Sequence, residues 1–137
     1  MRYTTEIKLV NREDVTRVED GIIKPEDVRQ VVVKEALVDT GTSRLSVPRF
    51  LIQQLGLKPV GKAKSMTANG VVERTIYSVV DFTVLGRTDS MRVTDLSDDA
   101  PVLVGHIVME LLDLCLDVKR GLIYNPAHGD EWIEYQL

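Results

Sequence analysis

Ala36-Leu37-Val38-Asp39-Thr40-Gly41-Thr42-Ser43 is the stretch on which the reading of this chain turns. An apolar run leads straight into an ionisable Asp, and small hydroxyl residues flank the glycine that follows. Glycine lets the backbone pass close to the carboxylate and offer its N–H. Thr40, Thr42 and Ser43 bring hydroxyls able to hold the carboxylate and its loop in one geometry. An acid or base that must be positioned needs this kind of setting.

Upstream, Thr4–Val10 alternates in polarity and suits a first strand. Residues 11–30 are charge-rich, broken at Gly21 and Pro25, and read as a surface loop or short helical turns. Val31–Val33 and Ala36–Val38 are β-branched or apolar runs that predict a tight hairpin about Lys34-Glu35, its second strand ending at Asp39. Downstream, Pro48–Leu55 predicts a helix with Gly56 as its left-handed cap and Phe50, Leu51 and Leu55 on its buried face. Lys62–Ala68 and Val71–Val84 read as strands joined at Asn69-Gly70, the preferred pair for a two-residue turn with positive φ at both positions. Gly86–Asp89 reads as a further turn before a return strand at Met91–Leu96. Val102-Leu103-Val104 is a short buried-sheet run ended by Gly105, and residues 107–114 follow a helical period. Leu116 to Tyr124 closes as a hairpin about Lys119-Arg120-Gly121. Many short strands with few helices mean a mainly-β barrel or sandwich.

The chain has 137 residues, 44% hydrophobic and 28% charged, which suits one globular domain with a real core. A formal charge of −4 without a dense basic patch argues against nucleic acid as a partner. No apolar run approaches the ~20 residues of a membrane span, and the polar start MRYTTEIK is unlike a signal peptide. The expectation is a soluble, cytoplasmic protein with no membrane partner. A single cysteine, Cys115, excludes an internal disulfide framework and a Cys-rich zinc site.

Three features, in order, resemble the retropepsin-like aspartic proteases, the single-lobe relatives of pepsin, and most closely their compact non-viral microbial forms. The loop Asp39-Thr40-Gly41-Thr42-Ser43 comes first. A hairpin flap over residues 64–72 follows, with Thr67, Ala68, Asn69 and Gly70 at its tip. Last comes the apolar–apolar–Gly motif Leu103-Val104-Gly105, running into Ile107–Leu112. The resemblance covers about Val31 to Tyr124. It implies one domain over residues 1–137, folded as a closed retropepsin/pepsin-like β-barrel with one or two short helices, plus an N-terminal extension and a C-terminal tail.

By resemblance, Asp39 is the catalytic residue of an aspartic endopeptidase that needs no metal and no cofactor. Such enzymes hold one water between two aspartates, yet this sequence has a single Asp-Thr-Gly. A two-fold homodimer would supply the second copy. Thr40 would then hydrogen-bond across the axis, Gly41, Thr42 and Ser43 would support the loop, and the flap would close on a peptide or protein substrate. The alternative reading is a retropepsin-fold dimerisation or peptide-binding module with little or no turnover. His106 departs from the family pattern, standing where retroviral members usually carry Arg, and the flap tip holds one glycine.

Other chemistries find weaker support. His106 and His128 lack zinc spacing. Ser43 and Ser46 lie in no nucleophile elbow. Asp95, Asp98 and Asp99 read as a solvated turn rather than a calcium loop. Cys115, between Leu114 and Leu116, is expected to be a buried core thiol. Trp132 and Tyr135 are expected to anchor the tail.

Overall fold

The computed structural model describes residues 3–126 together with Glu134 and Tyr135. His128 and Trp132 lie outside the described residues. Strand β1 (Thr4–Asn11) is followed by helix α1 (Arg12–Glu19) and a single 3-10 turn at Pro25–Asp27. Then come β2 (Gln30–Val38), β3 (Leu45–Pro48), α2 (Arg49–Gln54), β4 (Pro59–Thr67), β5 (Gly70–Val84) and β6 (Arg87–Leu96). The chain continues through β7 (Leu103–Val104), α3 (His106–Leu111), β8 (Cys115–Asp117), β9 (Leu122–Tyr124) and β10 (Glu134–Tyr135). Among the described residues no helix is long and apolar enough to cross a membrane.

Strand order β1-β2-β7-β3-β6-β5-β4, with β1 also paired to β5, closes six strands into a barrel. Within this sheet, β4 hangs outside the ring as the outer arm of a long hairpin with β5. Closure leaves the six-stranded ring with no free edge. β8, β9 and β10 form a separate small sheet. The barrel fills from alternating positions: Ile7 and Leu9 on β1, and Val80, Phe82 and Val84 on β5, are all buried. Leu45, Leu55, Leu112 and Ile123 complete the same cluster.

Several local expectations need correction. Residues 30–38 form one continuous strand, not a hairpin about Lys34-Glu35. β1 pairs along its length, and Lys34-Glu35 falls at a bulge where the register slips between Thr5 and Ile7. The ion pair Lys34–Glu6, at 2.8 Å, spans that irregularity. In α2, Phe50 is 48% exposed, and Ile52 takes its place beside Leu51 and Leu55 in the core. The two-residue turn with both φ positive is Leu85-Gly86, at φ 50 and 76, so the turn placed at 86–89 sits one residue earlier.

At the β4–β5 tip the connecting pair is Ala68-Asn69, and only Gly70 takes positive φ. Thr67 dictates this. Its hydroxyl donates to the Gly70 carbonyl at 2.8 Å and accepts from the Asn69 N–H at 3.3 Å. Cys115 is exposed, because Leu114 is the buried residue at this end of β8.

Helix α1 is tied to the rest of the fold through a polar cluster. Asn11 is buried; it caps α1 by accepting from the Asp14 N–H at 3.1 Å and donates to the Leu55 carbonyl at 2.8 Å. The Asp14 side chain, only 2% exposed, accepts from Arg17 at 2.7 Å and from Arg29 at 2.9 Å. The Arg29 hydrogen bond and charge outweigh burial and hold the Asp14 carboxyl at about 2. The same pairing raises Arg29 above its ordinary value.

Candidate functional site

β2 ends at Val38, and the next residue, Asp39, leaves the sheet half-buried. Its N–H donates to the Val104 carbonyl at 3.0 Å, continuing the parallel β2–β7 ladder that pairs Leu37 with Leu103 and Val38 with Val104. The ladder therefore sets where Asp39 sits. Two contacts set how its loop turns. The Gly41 N–H donates to Asp39 Oδ1 at 3.0 Å, and the Thr42 hydroxyl and N–H both donate to the Asp39 carbonyl, at 3.0 and 3.1 Å. A Cβ on Gly41 would stand 3.2 Å from that Oδ1, so the missing side chain is what lets the amide reach the carboxylate.

Of the three loop hydroxyls, Thr42 alone is bonded inside the loop, and it holds the backbone of Asp39 rather than its carboxylate. Thr40 is exposed, and its hydroxyl makes no hydrogen bond among the described residues. Ser43 is exposed as well, and its carbonyl accepts from the Ile107 N–H at 3.1 Å.

The second motif is built against the first. β7 lies between β2 and β3, with Leu45 opposite Val104 and Ser46 opposite Leu103. Gly105 and His106 donate to the carbonyls of Arg44 and Thr42, at 3.2 and 2.9 Å. Leu103-Val104-Gly105 and the Asp39 loop are thus one backbone unit. His106 turns to its own helix, with Nδ1 3.5 Å from Glu110 Oε1.

A cleft of about 420 Å3 opens between this unit and the hairpin arm. Gly41, Thr42, Ser43, Ser46, Thr94 and Leu103 line it from the barrel, and Ala63, Ser65, Met66, Thr67 and Arg74 from the arm. Asp39 sits beside this lining, held by Gly41. Ala68, Asn69 and Gly70 are exposed at the tip and do not line the cleft. The arm is amphipathic, with Ala63, Ser65, Thr67, Val72 and Arg74 on its less exposed face and Met66 and Val71 paired and exposed on the other.

The root of the arm is clamped by an acid that sequence reading places in a solvated turn. Asp95 is 6% exposed, accepts from the Thr75 N–H at 3.0 Å and pairs with Arg49 at 3.2 Å. Asp98 likewise has a fixed role, accepting from the Phe50 N–H at 2.9 Å at the start of α2. Asp99 accepts from the Ser97 hydroxyl, which keeps its carboxyl below the ordinary value. Among the described residues no cluster of His, Cys, Asp and Glu could hold a metal ion. Ser46 shares its hydroxyl with Thr94 at 2.8 Å, two neutral groups without a base.

Arg44, Arg74, Thr94 and Leu96 line the cleft without having been singled out in the sequence. The one signal available was parity: Arg74 stands two residues from Val72 on the inward face of β5.

A family model described as aspartyl protease matches residues 25–106, from the 3-10 turn to the first residue of α3. Among solved structures, the fold is similar to the EIAV protease complexed with the inhibitor HBY-793, at 18% identity and a TM-score of 0.58, covering 86% of this chain and 94% of that one. It is also similar to the retroviral protease-like domain of Ddi1 from Leishmania major, at 13% identity and a TM-score of 0.51, covering 90% of this chain and 89% of that one. No curated protein matches the chain by sequence.

Proposed function

The chain belongs to the aspartyl protease family and carries the retropepsin-like barrel, and from that premise we propose that it is an endopeptidase acting as a homodimer. The observation that carries the reading is the Asp39 loop. A lone Asp-Thr-Gly is fixed beside a cleft of peptide size, with its Oδ1 already satisfied by Gly41. In a two-fold pair, Asp39 faces its own copy across the axis. Two carboxylates so placed share one proton and titrate together, as in this enzyme class generally. The ionised member takes a proton from the water between them, while the protonated member hydrogen-bonds the peptide carbonyl under attack. The tetrahedral adduct then collapses with proton return to the leaving amine, and no covalent enzyme intermediate forms.

The supporting parts follow. Thr40, exposed beside Asp39, is free to bond across the axis, and Gly41, Thr42 and Ser43 keep the loop rigid. Leu103, Val104 and Gly105 brace it from below. The arm, with Thr67 to Gly70 at its end, closes on an extended peptide through strand-like hydrogen bonds.

The test is cleavage of a mixed peptide library by the native protein and by Asp39→Asn, with sedimentation run on both. The Asn carboxamide oxygen still accepts from Gly41, so the variant keeps its fold and dimer while losing cleavage at least about 100-fold. Equal cleavage by the two proteins would show that Asp39 is not the catalytic group. A dimer that binds peptides without cleaving them would instead make the chain a peptide-binding module.

A further inference from the structure

The cleft carries an imbalance of charge that peptide hydrolysis alone does not use. Arg44, Lys64 and Arg74 line it, and no lining residue is a carboxylate. The chain as a whole has the opposite bias, with 17 Lys and Arg against 21 Asp and Glu.

Several arginines elsewhere meet acids, among them Arg12 with Asp81, Arg29 with Asp14 and Arg49 with Asp95. Among the described residues nothing forms an ion pair with Arg44, Lys64 or Arg74. The acids that could neutralise them are engaged. Glu73 stands opposite Lys64 in the hairpin, but Lys62 holds it at 3.0 Å. Asp95, at the root of the arm, is held by Arg49 and the Thr75 N–H.

Position gives these cations meaning that scattered surface charges lack. Arg74 lies on the inward face of the arm opposite Ala63, whose small side chain leaves it room. Arg44 follows directly on the Asp39 loop, and its carbonyl accepts from the Gly105 N–H at 3.2 Å. Like charges gathered in a groove concentrate the field and draw in an anion. The planar fork of Arg suits a carboxylate in particular.

We infer that the cleft selects extended peptides with Asp or Glu close to the cleaved bond, Arg44 and Arg74 reading the acidic side chain. This rests on the peptidase reading and adds the substrate class to it.

The full-length protein is incubated with a mixed peptide library, and the cleaved bonds are read by mass spectrometry. Asp and Glu are expected to be enriched roughly fivefold beside those bonds, less at high salt. Arg74→Gln flattens the preference, and Arg74→Glu turns it toward Lys and Arg. Cleavage with no acidic enrichment overturns the inference and leaves the peptidase reading intact.

A second measurement decides the matter if nothing is cleaved. Fluorescent Asp/Glu-rich, neutral and Lys-rich peptides of equal length are titrated onto the Asp39→Asn protein and followed by anisotropy. Salt-sensitive preference for the acidic peptide supports the charge reading even though the peptidase reading has fallen. Equal binding of the three, or none, overturns it.

Discussion

Gly105 and Arg44 meet backbone against backbone. The Gly105 N–H donates to the Arg44 carbonyl at 3.2 Å, and a Cβ on Gly105 would lie 2.6 Å from that same oxygen and 2.5 Å from the Ser43 carbonyl carbon. This approach locks the strand leaving the Asp39 loop onto β7, and β7 in turn receives the Asp39 N–H through Val104. The geometry of the candidate acid therefore depends on a residue far from it in sequence.

Gly105→Ala tests that dependence. Gly105 has φ −80, which any residue adopts, so the harm is purely steric. The atoms in the way are backbone and cannot rotate aside. A loss of about 2–3 kcal/mol is expected in denaturant unfolding, with cleavage falling further than stability as the Asp39 loop shifts. An unchanged unfolding midpoint would mean that the approach is looser than described.

Gly70→Ala should behave in the opposite way. Gly70 takes φ 109, but a Cβ there meets nothing within 4 Å. The strain, about 1–2 kcal/mol, falls on an arm outside the six-stranded ring. The global unfolding midpoint should barely move, while KM rises roughly fivefold as the arm's tip is distorted. The reverse pattern would place the arm in the cooperative core.

The contrast between these glycines shows what was legible in the sequence. The Asp39 loop could be read because its contacts are local: Gly41 and Thr42 bond residues two and three positions back. The strands of the arm were visible for the same reason, whereas the motif at Gly105 bonds distant residues and was legible only through its apolar–apolar–Gly pattern. Turn chemistry misled where side chains overrode propensity. Thr67 moved the arm's turn away from Asn69-Gly70, and Leu85 adopts a positive φ that no preference for leucine would suggest. Lys34-Glu35 imitated a turn because a bulge and a turn both break alternation. Asp14 and Asp95 looked like surface acids. Their burial depends on Arg29 and Thr75, distant partners that one-dimensional pattern cannot supply.

Asp14 gives the fold a defined weakness in acid. Its folded-state value of about 2 lies below the ordinary value of 3.8, so the unfolded chain takes up the proton first as pH falls. The stabilisation is full above about pH 5 and is lost as pH drops toward 2, on the order of 2 kcal/mol in all. Asp14→Asn should be the weaker protein at neutral pH and should close the gap to the native protein across that window. Other carboxylates titrate in both proteins, so the difference between their unfolding free energies isolates Asp14. A gap that stays constant from pH 6 to pH 2 would remove Asp14 from the account.

Dilution separates a homodimeric catalyst from any other use of this fold. With one Asp-Thr-Gly per chain, a monomer holds half a dyad. Below the dissociation constant of the dimer, the cleavage rate should rise with the square of protein concentration, becoming linear once dimers dominate. Adding excess Asp39→Asn protein should then depress native activity, because mixed dimers carry one carboxylate and cannot share a proton between two. Initial rates across a dilution series, with and without the added variant, read both effects. A rate strictly proportional to concentration at every dilution, unaffected by the variant, would mean that a single subunit does the chemistry and that Asp39 has a partner other than its own copy.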